Sequence, residues 1–561
     1  MKKKFLLSLL FILGLITSVI AQDLIGLWDF TSIKNIQNNP VIEIHESDFM
    51  EIKPDNTFQY KLTNKKHQLA TGTWEVIDKK IYFHYINPID TVRCYDTSIE
   101  GENLSLKEGK LSFNFKKHND QIPVLKEKSY KKRIKNLIRG IIGLSILLII
   151  AFAFSTNKKK IKWDIVFKGL IMQFILALCL LKVPVIEKSF ESISRGFIKI
   201  ISFTQAGTDF LFASMITGKI ETPLINFIVM VLPTIIFFSA LTSLFYYLGI
   251  LQKIVYFFAW IIKKFMNLSG SESLAAVGNV FLGQTEAPLL VRPYLDKMTT
   301  SEIFCLMTGG MATIAGGVLA AYIGFLGGND PIEQLMFAKH LLAASVLSAP
   351  AAIVAAKIIV PETDEINQEM KLSEEKLGSN ALEAVSKGTT DGLKLAVNVA
   401  AMILVFTALI SMGNYITNDI IGSLTGLNDF IINHSNYDGL TLQFILGYTF
   451  SPIVWLMGVP WDDAVLVGQL LGEKTILNEF YAYKTLGEMK LSELFTYEKS
   501  IIMSTYILCG FANFASIGIQ IGGIGALVPN RKALLSKLGL LALVAGTLAS
   551  LLTSVIVGMI I

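Results

Sequence analysis

Residues 283–295 read GQTEAPLLVRPYL, and they place Gln284, Thr285 and Glu286 in a row inside some of the most apolar sequence of the chain. An ionisable side chain at membrane depth is costly, so it is kept where it holds a ligand or pairs inside the protein. The stretch also carries Gly283, Pro288 and Pro293, which argue against one continuous helix. Residues 268–298 therefore read as a re-entrant hairpin, because irregular backbone at membrane depth is tolerated only where it is buried or lines a cavity.

The rest of the chain supports a membrane setting. It has 561 residues, 52% hydrophobic and 17% charged, with a mean hydropathy of +0.52. Thr222–Gln252, Ile303–Asn329, Leu395–Asn418, Ser500–Asn530 and Leu538–Ile561 are free of charge. Each is longer than the roughly 20 residues that span a bilayer as a helix. The fold class expected is an α-helical polytopic membrane protein with about eight spans and two re-entrant hairpins, preceded by a small antiparallel β domain. The net charge of +5 is spread over loops without a basic, aromatic-interleaved patch, so no nucleic-acid partner is expected. Cys94, Cys179, Cys305 and Cys509 have no metal or redox spacing. No nucleophile–base motif points to an enzyme.

Along the chain, Met1–Ala21 has three lysines, an apolar stretch and SVIA before Gln22, the pattern of a secretory signal or, if uncleaved, a signal anchor. Residues 22–125 alternate like strands in TFQYKL (57–62), GTWEVID (72–78) and KIYFHY (80–85). LIGLWDF (24–30) gives this exported β domain a weak lipocalin-like resemblance. Residues 126–250 hold a basic linker and the first spans, 251–358 the first hairpin and a broken helix, and 359–392 a cytoplasmic linker. The segment 393–561 holds the second hairpin, a second broken helix and the last span. Spans are expected near 137–154, 165–184, 222–250, 302–326, 337–357, 393–418, 499–524 and 533–561. The second hairpin is expected within 445–485. Residues 187–214 suit a helix on the membrane surface or one packed on the bundle. An even number of spans puts both termini on the exported side of a bacterial inner membrane, which leaves Lys158–Lys160, Lys162, Lys263, Lys264, Arg531 and Lys532 inside. The basic run 126–139 is the exception.

An internal repeat points at a site. Glu286 is followed by TSEIF (300–304) and a Gly-rich span, MTGGMATIAGGVLAAY (307–322). Glu479, in LNEFYAY (477–483), is followed by LSELF (491–495) and CGFANFASIGIQIGG (509–523). Repeats with interrupted helices are the build of secondary transporters, which bind their substrate near the midplane. The polar residues at those interruptions are Gln284, Thr285, Glu286, Glu479, Asn513 and Ser516. Acids, amides and hydroxyls without a cation at the tips suit a neutral, polyhydroxylated or amide-bearing solute. Glu302 and Glu493 read as turn and cap residues.

Five stretches in the same order resemble the concentrative nucleoside transporters: GQTEAPLLVRPYL, MTGGMATIAGGVLAAY, FSPIVWLMGVPWDDA (450–464), LNEFYAY and CGFANFASIGIQIGGIGALVPNRK (509–532). The resemblance spans about 137–561. It implies a homotrimer in membrane lipid, with an elevator-like movement of the hairpin-bearing domain against a scaffold. It implies that Gln284, Thr285 and Glu286 meet the nucleobase, that Glu479, Asn513 and Ser516 hold the ribose, and that Phe511 packs beside the sugar. Its sodium site would use Asn279, Thr313 and the main-chain carbonyls of Leu282 and Ile314. Gly283-Gln284 looks like members that accept purine and pyrimidine nucleosides, and Asn279 with Thr313 like Na⁺-coupled ones. Bland readings remain beside these: Asn279 as a cap, Thr313 bonded to its own helix, Phe511 as packing. The alternatives in function are a proton-coupled symporter and a membrane sensor that binds its ligand with residues 22–125.

Overall fold

The computed structural model describes Leu24, residues 26–117 apart from 36–39, 43, 45–47, 54–56, 63–67, 78–79, 88–90 and 110, and residues 130–561 apart from 215–219, 221–226, 329, 371, 373–377 and 436. The expected signal segment 1–21 and the boundary at 125/126 lie outside the described residues. The chain divides into two compact units, Met1–Ser129 and Tyr130–Ile561.

The first unit is a closed antiparallel barrel of nine strands: β1 (Gly26–Asn35), β2 (Pro40–Ile42), β3 (Phe49–Ile52), β4 (Thr57–Leu62), β5 (Gln68–Ile77), β6 (Lys80–Asn87), β7 (Thr91–Glu100), β8 (Asn103–Glu108) and β9 (Leu111–Lys117). Strands β3 to β9 pair in sequence order, and β9 pairs back onto β1 over Trp28–Asn35. The other edge of β1 is shared between β3 at Gly26–Asp29 and β2 at Ile33–Lys34. Because strand side chains alternate between faces, Ile81, Phe83 and Tyr85 of β6 point inward together, with Phe58, Tyr95 and Phe115. Trp28 closes the packing, and its Nε1 donates to the Leu24 carbonyl at 2.9 Å. The interior left free is about 50 Å³, far below the 300–1,000 Å³ or so of drug-sized ligand pockets. Aromatic side chains fill the barrel.

The second unit is helical. Its spans include α1 (Tyr130–Ala153), α2 (Trp163–Lys182), α9 (Pro331–Ile359), α10 (Ala381–Asn414) and α16 (Lys532–Ile560). Between them lie α3 (Pro184–Phe212), α4 (Leu232–Tyr247) and α5 (Ile250–Met266), α6 (Gly270–Phe281), α7 (Thr300–Ala312) and α8 (Gly316–Gly327). The C-terminal half adds α11 (Leu442–Leu456), α12 (Trp461–Ile476), α13 (Glu479–Leu491), α14 (Glu498–Leu508) and α15 (Phe514–Leu527). Among the described residues, six segments are long and apolar enough to cross a membrane, or up to eight if two bent pairs each count as one. One bent pair is α4–α5, which turns by 76° at Gly249, a glycine with φ of 73°. A left-handed residue there ends the first helix at little steric cost. Helix α3 occupies the 187–214 stretch as one 29-residue helix that buries only Ser194, Thr204 and Thr208.

Three boundaries depart from the sequence reading. Helix α10 starts at Ala381, well inside the expected 359–392 linker, where the Asn380 side chain caps it by accepting from the Glu383 amide at 2.9 Å. Charged residues such as Lys387 and Asp391 disguise a helix that the Asn-x-x-Glu cap signals. Residues 361–370 lie against the first hairpin, where the Gly270 amide donates to the Asn367 carbonyl and Lys357 pairs with Glu272 at 2.7 Å. The second hairpin is α12 and α13 joined at Leu477–Asn478, so the expected 445–485 begins one helix too early. Helix α11 keeps Pro452 inside it, and the turn of 118° falls at residues 457–460 instead.

Candidate functional site

Each hairpin is followed by a helix that breaks. Hairpin one is α6 with the returning residues Ala287–Leu290 and Arg292–Tyr294, and its broken helix is α7–α8, open at Thr313–Ala315. Hairpin two is α12–α13, and its broken helix is α14–α15, open at Cys509–Asn513. The two breaks cross. A Cβ on Gly510, whose φ is 116°, would lie 2.6 Å from the Met311 carbonyl oxygen and 2.7 Å from the Ala312 carbonyl carbon. Only glycine allows two unwound backbones to approach so closely at that φ. The Ser-Glu turns of the repeat are not equivalent in space. Glu302 forms a capping box with Thr299 at the start of α7, whereas Glu493 sits in the turn after α13 with a φ of 52°.

Four of the expected ligand-holding residues form one buried network. Gln284 Nε2 at the tip of hairpin one donates to Ser516 Oγ at 3.2 Å, and Gln284 Oε1 accepts from Gln520 Nε2 at 3.1 Å. The Ser516 amide donates to Asn513 Oδ1 at 2.9 Å, which makes Asn513 the cap of α15. Asn513 Nδ2 in turn donates to Glu479 Oε2 at 2.7 Å, and Tyr322 donates its hydroxyl to Glu479 Oε1 at 3.3 Å. Gln284, Glu479, Asn513 and Ser516 are all buried. The network joins both hairpins through the breaks, at the open helix ends where backbone groups have no intrahelical partner. Phe511 lies half-buried in the unwound segment, packed against the apolar core.

Thr285 and Glu286 stand apart from that network. Glu286 Oε2 accepts from the Gly283 amide at 3.2 Å, so the carboxylate folds onto its own turn. Both residues line a cavity of about 360 Å³ with Ser239, Thr242, Ser243 and Tyr246 of α4 and Lys387, Asp391 and Lys394 of α10. The α4 residues recur at helical spacing and form a polar stripe on an otherwise apolar helix.

Asn279 is fully buried in α6. Its Nδ2 donates to the carbonyls of Ala275 at 3.0 Å and Leu306 at 3.4 Å, and among the described residues its Oδ1 has no partner. Thr313 Oγ1 donates to the Gly309 carbonyl at 2.9 Å and, among the described residues, accepts no hydrogen bond. Leu282 and Ile314 belong to segments that touch, since a Cβ on Gly283 would lie 3.5 Å from Ala315 Cβ, and one on Gly316 would lie 3.6 Å from the Phe281 carbonyl oxygen. A buried orphan amide oxygen beside a hydroxyl at a helix break fits a small hard cation, which takes oxygen ligands.

Sequence reasoning missed Tyr322, Gln520 and Lys474. Gln520 stands four residues after Ser516 on the same helix face, a spacing that marks it. Tyr322 stacks on Tyr483 with ring centroids 4.2 Å apart, a contact that no local pattern foretells. Lys474 is fully buried in α12 behind the tip of hairpin two, so the reading of tips without a cation holds for their ligand-facing ends alone.

Three family models match the helical unit. One described as the N-terminus of Na⁺ dependent nucleoside transporters covers residues 142–215, one described as nucleoside recognition covers 228–329, and one described as the C-terminus of the same transporters covers 340–558. YutK, an uncharacterized transporter of Bacillus subtilis, is 39% identical over 427 residues, which are 76% of this chain and 99% of that protein. Sodium/nucleoside cotransporter 1 of Rattus norvegicus is 38% identical over 432 residues, 74% of this chain, and the match spans 62% of that longer protein. The solved structure of CNTnw in an inward-facing substrate-bound state superposes with a TM-score of 0.66 at 34% identity, covering 75% of this chain and 98% of that one. A variant of CNTnw in an outward-facing state gives 0.67 at 33% identity, covering 76% and 99%.

Proposed function

The chain belongs to the Na⁺-dependent, concentrative nucleoside transporter family, whose members carry solutes across membranes rather than transform them, and from that premise we propose that it imports purine and pyrimidine nucleosides by Na⁺ symport. The observation that carries the reading is the buried network from Gln284 through Ser516 and Asn513 to Glu479, which spans both hairpins. Such a set offers amide donors and acceptors at one end and a carboxylate at the other. The amides suit a nucleobase edge, and the carboxylate with Asn513 suits ribose hydroxyls. Thr285 and Glu286 face the cavity between hairpin one and helices α4 and α10, through which the base would be approached, and Phe511 packs beside the sugar.

Na⁺ enters as co-substrate at Asn279, Thr313 and the carbonyls of Leu282 and Ile314. Binding there satisfies Asn279 Oδ1 and ties α6 to the break in α7–α8, which sets the tip that presents Gln284, Thr285 and Glu286. One elementary charge moved through 100 mV supplies about 2.3 kcal/mol, and that concentrates a solute on the order of fortyfold. The hairpins and broken helices move as one elevator against a scaffold that includes α4 and α10, in a homotrimer of the inner membrane with both termini exported.

The test is uptake of radiolabelled uridine and adenosine into proteoliposomes under an imposed Na⁺ gradient, with choline as the replacement. Concentrative uptake of both that needs Na⁺ is the expected result. Uptake that ignores Na⁺ and collapses with a protonophore would move the coupling to a proton. Absence of uptake of either nucleoside would reject the substrate.

A further inference from the structure

Lys474 has no exposed surface, and among the described residues no carboxylate stands within ion-pair distance of it. A buried ammonium group is costly without compensation, so what surrounds it is informative. Its Nζ donates to the Ile507 carbonyl at 2.8 Å, the Cys509 carbonyl at 3.5 Å and Ser550 Oγ at 3.2 Å. Ser550 Oγ itself donates to the Cys509 carbonyl at 2.6 Å. Helix α14 ends at Leu508, so these are carbonyls that have lost their amide partners and carry the negative end of the helix dipole. The other side of the break is held by the same hairpin with the opposite charge. Glu479, five residues after Lys474, accepts from Asn513, the cap of α15.

We propose that Lys474 is a positioning residue for the nucleoside site: hairpin two grips both ends of the break in α14–α15, ammonium on the carbonyl end and carboxylate on the capped end. The grip holds residues 509–513 in the register that brings Asn513 to Glu479. The inference rests on the reading of Asn513 and Glu479 as the ribose-holding residues.

Equilibrium binding of tritiated uridine to the purified full-length transporter at saturating Na⁺ tests it. Lys474→Met should weaken uridine roughly 10- to 100-fold, the range expected for lost hydrogen bonds from a charged group. Ser550→Ala should weaken it about threefold to tenfold, as for a neutral bond. The Na⁺ concentration that half-stabilises either variant against heat should stay at the wild-type value, because hairpin one is untouched. In the double variant with Asn513→Ala, Lys474→Met should add little, since it acts through Asn513. Full additivity, or wild-type uridine affinity in Lys474→Met, would overturn the proposal. Should Lys474→Met fail to fold, the cycle of Ser550→Ala with Asn513→Ala decides by the same criterion. Wild-type protein that binds no uridine would instead sink the nucleoside reading and this inference with it.

Discussion

Replacing Asn279 by Ala separates a cation ligand from a structural amide. The side chain is fully buried, its Nδ2 donates to two carbonyls and its Oδ1 has no partner among the described residues. Both carbonyls sit inside helices α6 and α7, where a backbone amide four residues on already uses them. Losing the two Nδ2 contacts costs about 0.5–1.5 kcal/mol each, while removing a buried orphan acceptor returns about 1–3 kcal/mol. Stability without Na⁺ should therefore change by no more than about 2 kcal/mol in either direction. Cation binding should respond very differently. Loss of one oxygen ligand, valued at about 1.5–3 kcal/mol as for a bond to a charged group, weakens Na⁺ roughly 10- to 100-fold. At Na⁺ one hundred times its Kd, the wild type gains about 2.7 kcal/mol of stability, whereas a variant weakened a hundredfold gains about 0.4 kcal/mol. The assay is paired: uridine uptake against Na⁺ concentration, and thermal unfolding in Na⁺ and in choline. The half-saturating Na⁺ should rise at least tenfold, and the Na⁺-induced rise in Tm should fall by about half or more. Unchanged half-saturation would refute the reasoning. So would a Tm that falls equally in Na⁺ and in choline, because Asn279 would then be structural.

Four further outcomes are expected. Glu479→Gln keeps the shape of the side chain but turns one acceptor into a donor opposite Asn513 and Tyr322; uridine binding should weaken about tenfold or more with little change in Na⁺ dependence, and unaltered binding would remove Glu479 from the sugar site. Gly510→Ala forces a Cβ against the backbone of Met311 and Ala312 at a φ of 116°; the yield of folded protein and its Tm should drop clearly, and a wild-type Tm would contradict the crossing of the two breaks. Deleting residues 22–125 should leave measurable uptake, since Tyr130–Ile561 has its own core, and a membrane-inserted but inactive deletion would favour the sensor reading. In the barrel, burial pushes the Tyr85 and Tyr95 phenols up, Tyr95 to about 12; the 3.2 Å contact between their hydroxyls raises Tyr85 further and offsets part of the rise at Tyr95. Their neutral forms stabilise the fold fully below the unfolded value of about 10, and that contribution is lost as pH rises toward 12; phenolate absorbance and near-UV circular dichroism should show late ionisation together with loss of structure, and ionisation of both near 10 in a folded barrel would refute it.

The sequence by itself determined the class of the fold and the neighbourhood of the site. Uncharged runs longer than a bilayer leave helices as the solution for the span, and Gly, Pro and a carboxylate at Gly283–Pro288 mark a place where the helix must stop. The Asn380 cap and Gln520 were also legible in principle, because they rest on local spacing. Tertiary structure alone decided the partners. Asn513 and Glu479 are 34 residues apart, Gln284 and Ser516 are 232 apart, and Tyr322 reaches Glu479 across 157. No local pattern encodes which polar groups meet, because the meeting depends on two breaks crossing at Gly510. The same limit explains α11, whose Pro452 reads as a break until the packed helix shows it continuing to Leu456. It also explains Lys474, which composition counts as one more charge. Only the fold shows that its ammonium, with no carboxylate in ion-pair reach among the described residues, is held by carbonyls at the open end of a helix.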